Sequence, residues 1–208
     1  ISQLGTGTTI QEIERITDEL LIQQSRSELS KAGENKTIQS LLKGIEVSFN
    51  EMSDHSISEL VNDFFNAFEN ASKFPEQSSY RENIISSVEM LSNKLKETVG
   101  YLDTVKNDIN TRIESELANV NRLLGNIASI NEKILNSQSK SPNSLLDERD
   151  KLVDQLSEHI DVNVKYGANP GDMRLITSGA TLVDGKELTE IGAQKETHSN
   201  TWVLSAGD

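Results

Sequence analysis

The sequence predicts a mainly α protein: an elongated antiparallel helical bundle or coiled coil that closes in a small C-terminal antiparallel β region, an α+β arrangement. Three observations carry this expectation. Aromatic residues are 4% of the chain, and the phenylalanines all fall between Phe49 and Phe74, so Leu, Ile and Val must pack most of the core, as in helical bundles. Apolar residues from Ile84 to Ile134 recur in alternating steps of four and three, the spacing of a coiled-coil seam. From Asp161 the apolar period drops to two, the period of a strand. The expected division is a helical domain over 1–160 and a β-rich segment over 161–208.

In chain order, "TGTTIQE" sets Thr9 three residues before Glu12, a capping-box spacing, and Ile10, Ile13, Ile16 and Leu20 follow at helical intervals to a stop near Gly33. The first few of these residues also suit a short strand. A second helix is expected from Thr37, with Ile38, Leu41, Leu42, Ile45, Phe49 and Met52 on one face, ending at "DHS". Ser56 with Glu59 opens a third, which carries Ile57, Leu60, Val61, Phe64 and Phe68 and is closed by Pro75.

Ser79 with Glu82 then introduces the seam itself: Ile84, Val88, Leu91, Leu95, Leu102, Val105 and Ile109, with Thr98 in the one missing slot. The steps become four and four through Ile113 and Leu117, an insertion that locally unwinds a coiled coil, before Val120, Leu124, Ile127 and Ile134 resume the alternation. No proline interrupts the run, and Gly100 and Gly125 weaken it by ~1 kcal/mol each relative to Ala, which allows a bend at either. "NSQSKSPN" ends it, and the next helix is expected to return antiparallel.

That returning helix, "SPNSLLDERDKLVDQL", contains an anomaly. Leu145, Leu152, Val153, Leu156 and Ile160 form its apolar stripe, and the same spacing places Arg149 on that face, with Asp147, Asp150, Lys151 and Asp154 toward solvent. A guanidinium is tolerated on an apolar face only when its donors are matched, because it does not deprotonate and an unpaired buried charge is costly. Arg149 is therefore expected either to meet a carboxylate or backbone carbonyls of a neighbouring segment, or to lie at a frayed helix start with its stem over Leu145 and its head in water. Asp147 and Asp150 are expected to cap the helix start or complement the positive end of its dipole, with no acid-base role, and Asp150 also to help steer the guanidinium. Leu145 and Leu152 complete the set of structural residues in this segment.

Beyond Asp161, Val162, Val164 and Tyr166 alternate with polar residues, "GANPGD" reads as a turn, "MRLITSG" as a second strand, and "ATLVDGKEL" as two short strands about an Asp-Gly turn. "TWVLSAG" adds one more.

Several functions are disfavoured. A net charge of −13 opposes a nucleic-acid or anionic-membrane surface. No stretch reaches the ~18 consecutive apolar residues of a spanning helix. The absence of cysteine removes disulfides, thiolate metal sites and cysteine nucleophiles. His55, His159 and His198 stand apart in sequence, Gly5-Thr6-Gly7 lacks the rest of a dinucleotide loop, and the SxxK spacings at Ser40/Lys43 and Ser137/Lys140 lack their companion motifs. No enzymatic activity, metal or cofactor is expected.

"SPNSLLDERDKLVDQLS", preceded by "NRLLGNIASINEKI" and followed by "VNVKYG", resembles the flagellar hook-associated proteins of the hook-filament junction, the FlgK family, relatives of flagellin. "GTGTTIQEIERITDELLIQQSRSELS" and "ISELVNDFFNAFENASKFPEQSSYRENIISSVEMLSNKL" extend the likeness, which covers nearly all of the chain to about Val183. The resemblance implies the helical middle of a structural subunit, with 161–208 as the start of an outer β domain and the core-forming terminal helices lying outside this chain. It implies self-association in a ring that joins hook to filament, between the hook protein and a second junction protein on the flagellin side. It further implies an export chaperone acting through the missing C-terminus, and extracellular delivery by the flagellar type III apparatus without a cleaved signal. The fragment alone is expected to be monomeric. A reading from another class is a coiled-coil adaptor, or a tip or translocator-like protein of a secretion system, which accounts for the long helix but not for SPNSLLDERD followed by a strand.

Overall fold

The computed structural model describes residues 18–49, 56–137, 142–196 and 202–207. The Thr9/Glu12 capping box, Gly5-Thr6-Gly7, Met52, His55, Lys140 and His198 lie outside the described residues. Among these residues four helices precede six short strands: α1 Glu19–Phe49, α2 Ile57–Lys73, α3 Ser78–Leu135, α4 Asn143–Ser157, then β1 Asn163–Tyr166, β2 Met173–Thr177, β3 Ala180–Asp184, β4 Glu187–Leu188, β5 Ile191–Lys195 and β6 Trp202–Ala206. The chain is mainly α with a small antiparallel β region, as the periodicity predicts. It forms two compact units: one gathers the chain up to Asn35 with Glu114 onward, the other is Lys36–Ile113.

The expected break between two helices at Gly33 to Thr37 is absent, because α1 runs through it without interruption. Gly33 is needed for closeness and not for a stop. A Cβ built at this position would overlap the backbone carbonyl oxygen of Glu158, just past the end of α4. Glycine thus weakens the helix locally but lets another backbone come against it.

In the unit formed by Lys36–Ile113, Ser56 caps α2 by accepting a hydrogen bond from the Glu59 amide at 3.1 Å, and α2 ends before Pro75 as expected. α3 shows a difference from the expected seam. Ile84, Leu91, Thr98 and Val105 face inward, but the alternate positions are turned by one residue: Ser87 is buried and Tyr101 half-buried, while Val88, Leu95 and Leu102 are exposed. The Ser87 and Thr98 hydroxyls donate to their own helix, at Ile84 and Lys94 carbonyls, and Tyr101 Oη donates to the Gly44 carbonyl of α1 at 2.6 Å. Small side chains whose polar groups are satisfied locally permit close approach of a neighbour, a preference that counting apolar residues does not detect.

In the other unit, α3 supplies Val120, Leu123, Leu124, Ile127 and Ala128 to one core, with Val153 and Leu156 of α4 and Val162, Met173, Leu175, Leu182, Val183 and Ile191 from the β region. β1 to β4 form one antiparallel sheet in sequence order, with an irregularity in the β2–β3 register between Leu175 and Ile176. The β2–β3 turn places Ser178 and Gly179 at φ 46° and 86°. β5, which had no clear sequence signal, pairs with β6 in a separate two-stranded sheet.

Candidate functional site

The most polar part of the core lies where α3, α4 and two turns of the first sheet converge. Arg149 of α4 is only 2% exposed. Its Nη1 donates to the Pro170 carbonyl oxygen at 2.6 Å and to Asn131 Oδ1 at 3.2 Å. Pro170 belongs to the turn between β1 and β2. The guanidinium carbon also lies 5.5 Å from the centre of the Tyr166 ring, within cation–π range. Asn131 of α3, with no exposed surface, uses the other end of its amide to donate to the Gly185 carbonyl in the β3–β4 turn at 2.7 Å. One asparagine therefore links the long helix to α4 and to the sheet. The adjoining turn fits closely: a Cβ on Gly171 would lie 2.5 Å from Leu135 Cγ of α3.

A second basic residue, absent from the expected set, stands on the other side of α4. Arg26 of α1 is 3% exposed; its Nε donates to Asp154 Oδ1 at 2.7 Å and its Nη2 is 3.5 Å from Asp150 Oδ1. Burial by itself would lower the Arg26 pKa, but the hydrogen bond to Asp154, together with Tyr166, outweighs it, and the net displacement is upward. Asp154 thus has a partner and does not simply face solvent, and Asp150, whose Oδ1 also stands 3.5 Å from the Tyr166 hydroxyl, joins α4 to both α1 and β1.

The remaining residues of the segment fall as follows. α4 begins at Asn143 after Pro142, with no acidic residue in its first turn, so Asp147 and Asp150 lie too far along to complement its N-terminus. Asp147 is exposed, Leu145 is half-buried, and Leu152 packs against the core. Asp154→Asn is expected to lower stability by about 1 kcal/mol by weakening the hold on a buried guanidinium, whereas Lys151→Gln on the exposed face changes it by less than about 0.5 kcal/mol. Urea titration of the two variants at one salt concentration measures the difference; equal values would assign Arg26 no net stabilisation from Asp154.

The β region is held at two further places. Asn121 of α3 pairs with both backbone groups of Ile191, its Nδ2 donating to the carbonyl and its Oδ1 accepting from the amide, each at 2.9 Å. The side-chain amide thereby acts as a neighbouring strand at the start of β5. At the end of α4, His159 Nδ1 lies 2.9 Å from Glu116 Oε2 of α3 and Nε2 lies 3.2 Å from Asn119 Nδ2. Asn131 carried a signal in the sequence, since it occupies the heptad slot left open between Ile127 and Ile134. Arg26 and Asn121 carried none, because their partners are 128 and 70 residues away.

A cleft of about 310 Å³ opens beside Arg149, lined by Glu19, Ile22, Leu146, Asp150 and Tyr166 among others. No nucleophile with a matched base faces it among the described residues. The described residues also contain no cluster of three or more metal-ligating side chains, and none of their helices is long and apolar enough to cross a membrane.

Buried polar side chains thus hold helix to helix and helix to turn in a mainly α chain with a small antiparallel sheet. Residues 42–207 match the flagellar hook-associated protein FlgK helical domain, and the chain belongs to that family. It is 26% identical over 225 residues to the flagellar hook-associated protein 1 of Bacillus subtilis, an alignment that takes in 99% of this chain and 44% of that protein. With the protein of the same description from Salmonella typhimurium it shares 26% identity over 194 residues, 91% of this chain and 35% of that one. The flagellar hook junction protein FlgK from Burkholderia pseudomallei has the same fold, with a TM-score of 0.73 at 18% identity over 89% of this chain and 33% of that chain. The chain thus spans less than half the length of these relatives.

Proposed function

We propose that this chain is the helical part of a structural subunit of the bacterial flagellum that joins hook to filament by lateral packing. The observation that carries the reading is the family match over residues 42–207, in a chain whose buried polar groups serve orientation. In this reading residues 1–160 are the helical domain and 161–208 begin an outer β domain. Arg149, with Leu145, Leu152, Asp147 and Asp150 around it, sets how α4 enters the sheet. The full-length subunit self-associates in a ring, meeting the hook protein on one side and a second junction protein on the flagellin side. It leaves the cell through the flagellar type III apparatus with the help of a chaperone bound at its C-terminal end, and acts outside the cell. Its partners are protein subunits, neither nucleic acid nor membrane, and its role requires no cofactor. The 208-residue chain by itself is monomeric.

Cells lacking the full-length protein are expected to keep intact hooks but release flagellin into the medium. Electron microscopy of the cell surface with immunoblotting of the culture supernatant measures both. Filaments of normal length on such cells would exclude the junction role.

A further inference from the structure

We propose that the outer edge of β6 is a strand-docking edge, filled by an extended segment of the polypeptide that follows Asp208 in the longer protein. The two edges of the β5–β6 hairpin are not equivalent. At Ile191, the edge of β5 is closed, since Asn121 takes both of its backbone groups. Residues facing each other in an antiparallel pair alternate between hydrogen-bonded and non-hydrogen-bonded positions. Because Ile191 directs both groups to α3, its pair with Ala206 is non-hydrogen-bonded, and so is the Ala193–Leu204 pair two residues on. The N–H and C=O groups of Leu204 and Ala206 therefore point away from β5, along the other edge of β6. Among the described residues no strand is hydrogen-bonded to that edge, since the sheet has the order β5-β6.

The side chains agree with the backbone. Val203 and Leu204 are consecutive, so they face opposite sides of the sheet, yet they are 52% and 59% exposed. A hairpin with uncovered apolar residues on both faces and an open ladder on one edge is the form most in need of a third strand. The choice of occupant follows from lengths: the Bacillus subtilis relative has more than half of its own chain outside the aligned part. A strand supplied in the same molecule has a high effective concentration and a short path from the end of β6. The proposal rests on the reading of this chain as part of a longer subunit, and deepens what 161–208 begins.

Hydrogen exchange on the full-length protein and on the 208-residue chain, each at two concentrations, tests it. The amides of Leu204 and Ala206 are expected to exchange at least about tenfold more slowly in the full-length protein, independently of concentration, while the Ile191 amide is slow in both. Leu204→Pro, which removes an outward N–H without taking a bond from the hairpin, is expected to abolish the added protection at Ala206 and leave the 208-residue chain unchanged. Fast exchange of both amides in both proteins would overturn the proposal. Protection that grows with concentration in the 208-residue chain would also overturn it, assigning the edge to a second copy. Neither result bears on flagellin release, so the junction role stands or falls separately.

Discussion

Asn131→Ala is expected to destabilise the unit that holds the sheet by about 3 kcal/mol. The substitution leaves the Gly185 carbonyl without its donor and removes one of the acceptors of Arg149, in a site with no exposed surface. Each buried polar group left unmatched costs about 1–3 kcal/mol, and the lost side-chain volume adds to this. Arg149→Met keeps the aliphatic stem but strips donors from the Pro170 carbonyl and Asn131 Oδ1, with an expected loss of about 2–3 kcal/mol. Because both residues serve one network, the double substitution should cost at least about 1 kcal/mol less than the sum. Asn131→Leu with Arg149→Met should recover part of the loss, as apolar replacement of a whole polar cluster often does. Trp202, the sole tryptophan, lies in β6 of this unit, so urea unfolding followed by its fluorescence reports the change. An Asn131→Ala loss no larger than that of exposed Asn126→Ala would show that the network contributes no stability.

The second large effect is a reversal of sign between two identical substitutions. Gly→Ala inside a helix ordinarily stabilises by about 1 kcal/mol, and Gly100→Ala should do so, since nothing lies within 4 Å of a Cβ at that position. Gly33→Ala should instead destabilise by about 1–3 kcal/mol, because its Cβ would overlap the Glu158 carbonyl, and backbone on both sides can yield only by separating α1 from the end of α4. Thermal or urea unfolding of the two variants decides it. A stabilised Gly33→Ala protein would mean that α1 does not pack as closely as the structure describes.

The difference between these glycines bears on how much of the fold can be read from the chain. A glycine followed by polar residues reads as a helix stop, and at Gly33 that reading is wrong because the cause lies in Glu158, over a hundred residues along. α2, with its Ser56 cap and Pro75 stop, was legible because both signals are local. So were the existence of α3 and α4 and the run of β1 to β4, each marked by its period and its turn residues. β5 was not, since "IGAQK" has little apolar alternation and is held in part by an asparagine of α3. At the polar centre, Arg149 was legible as a cation on an apolar face. Asn131 had the weaker signal of a polar residue in a heptad slot.

By itself the sequence determined which segments other than β5 are helices or strands, where most of them start and stop apart from the break misread at Gly33, and that a charged group had to be accommodated on the inner face of α4. These are properties of periodicity, capping and turn chemistry, which act over a few residues and survive whatever the rest of the chain does. Tertiary structure alone decided the partners. It chose the face of α3 that turns inward at Ser87 and Tyr101, paired Asp154 with Arg26, and met Arg149 with a turn carbonyl and an amide oxygen. A guanidinium accepts any of these as acceptors, and a helix with apolar residues on two adjacent faces can bury either. Such choices are degenerate locally, and only the packing of distant segments against one another resolves them.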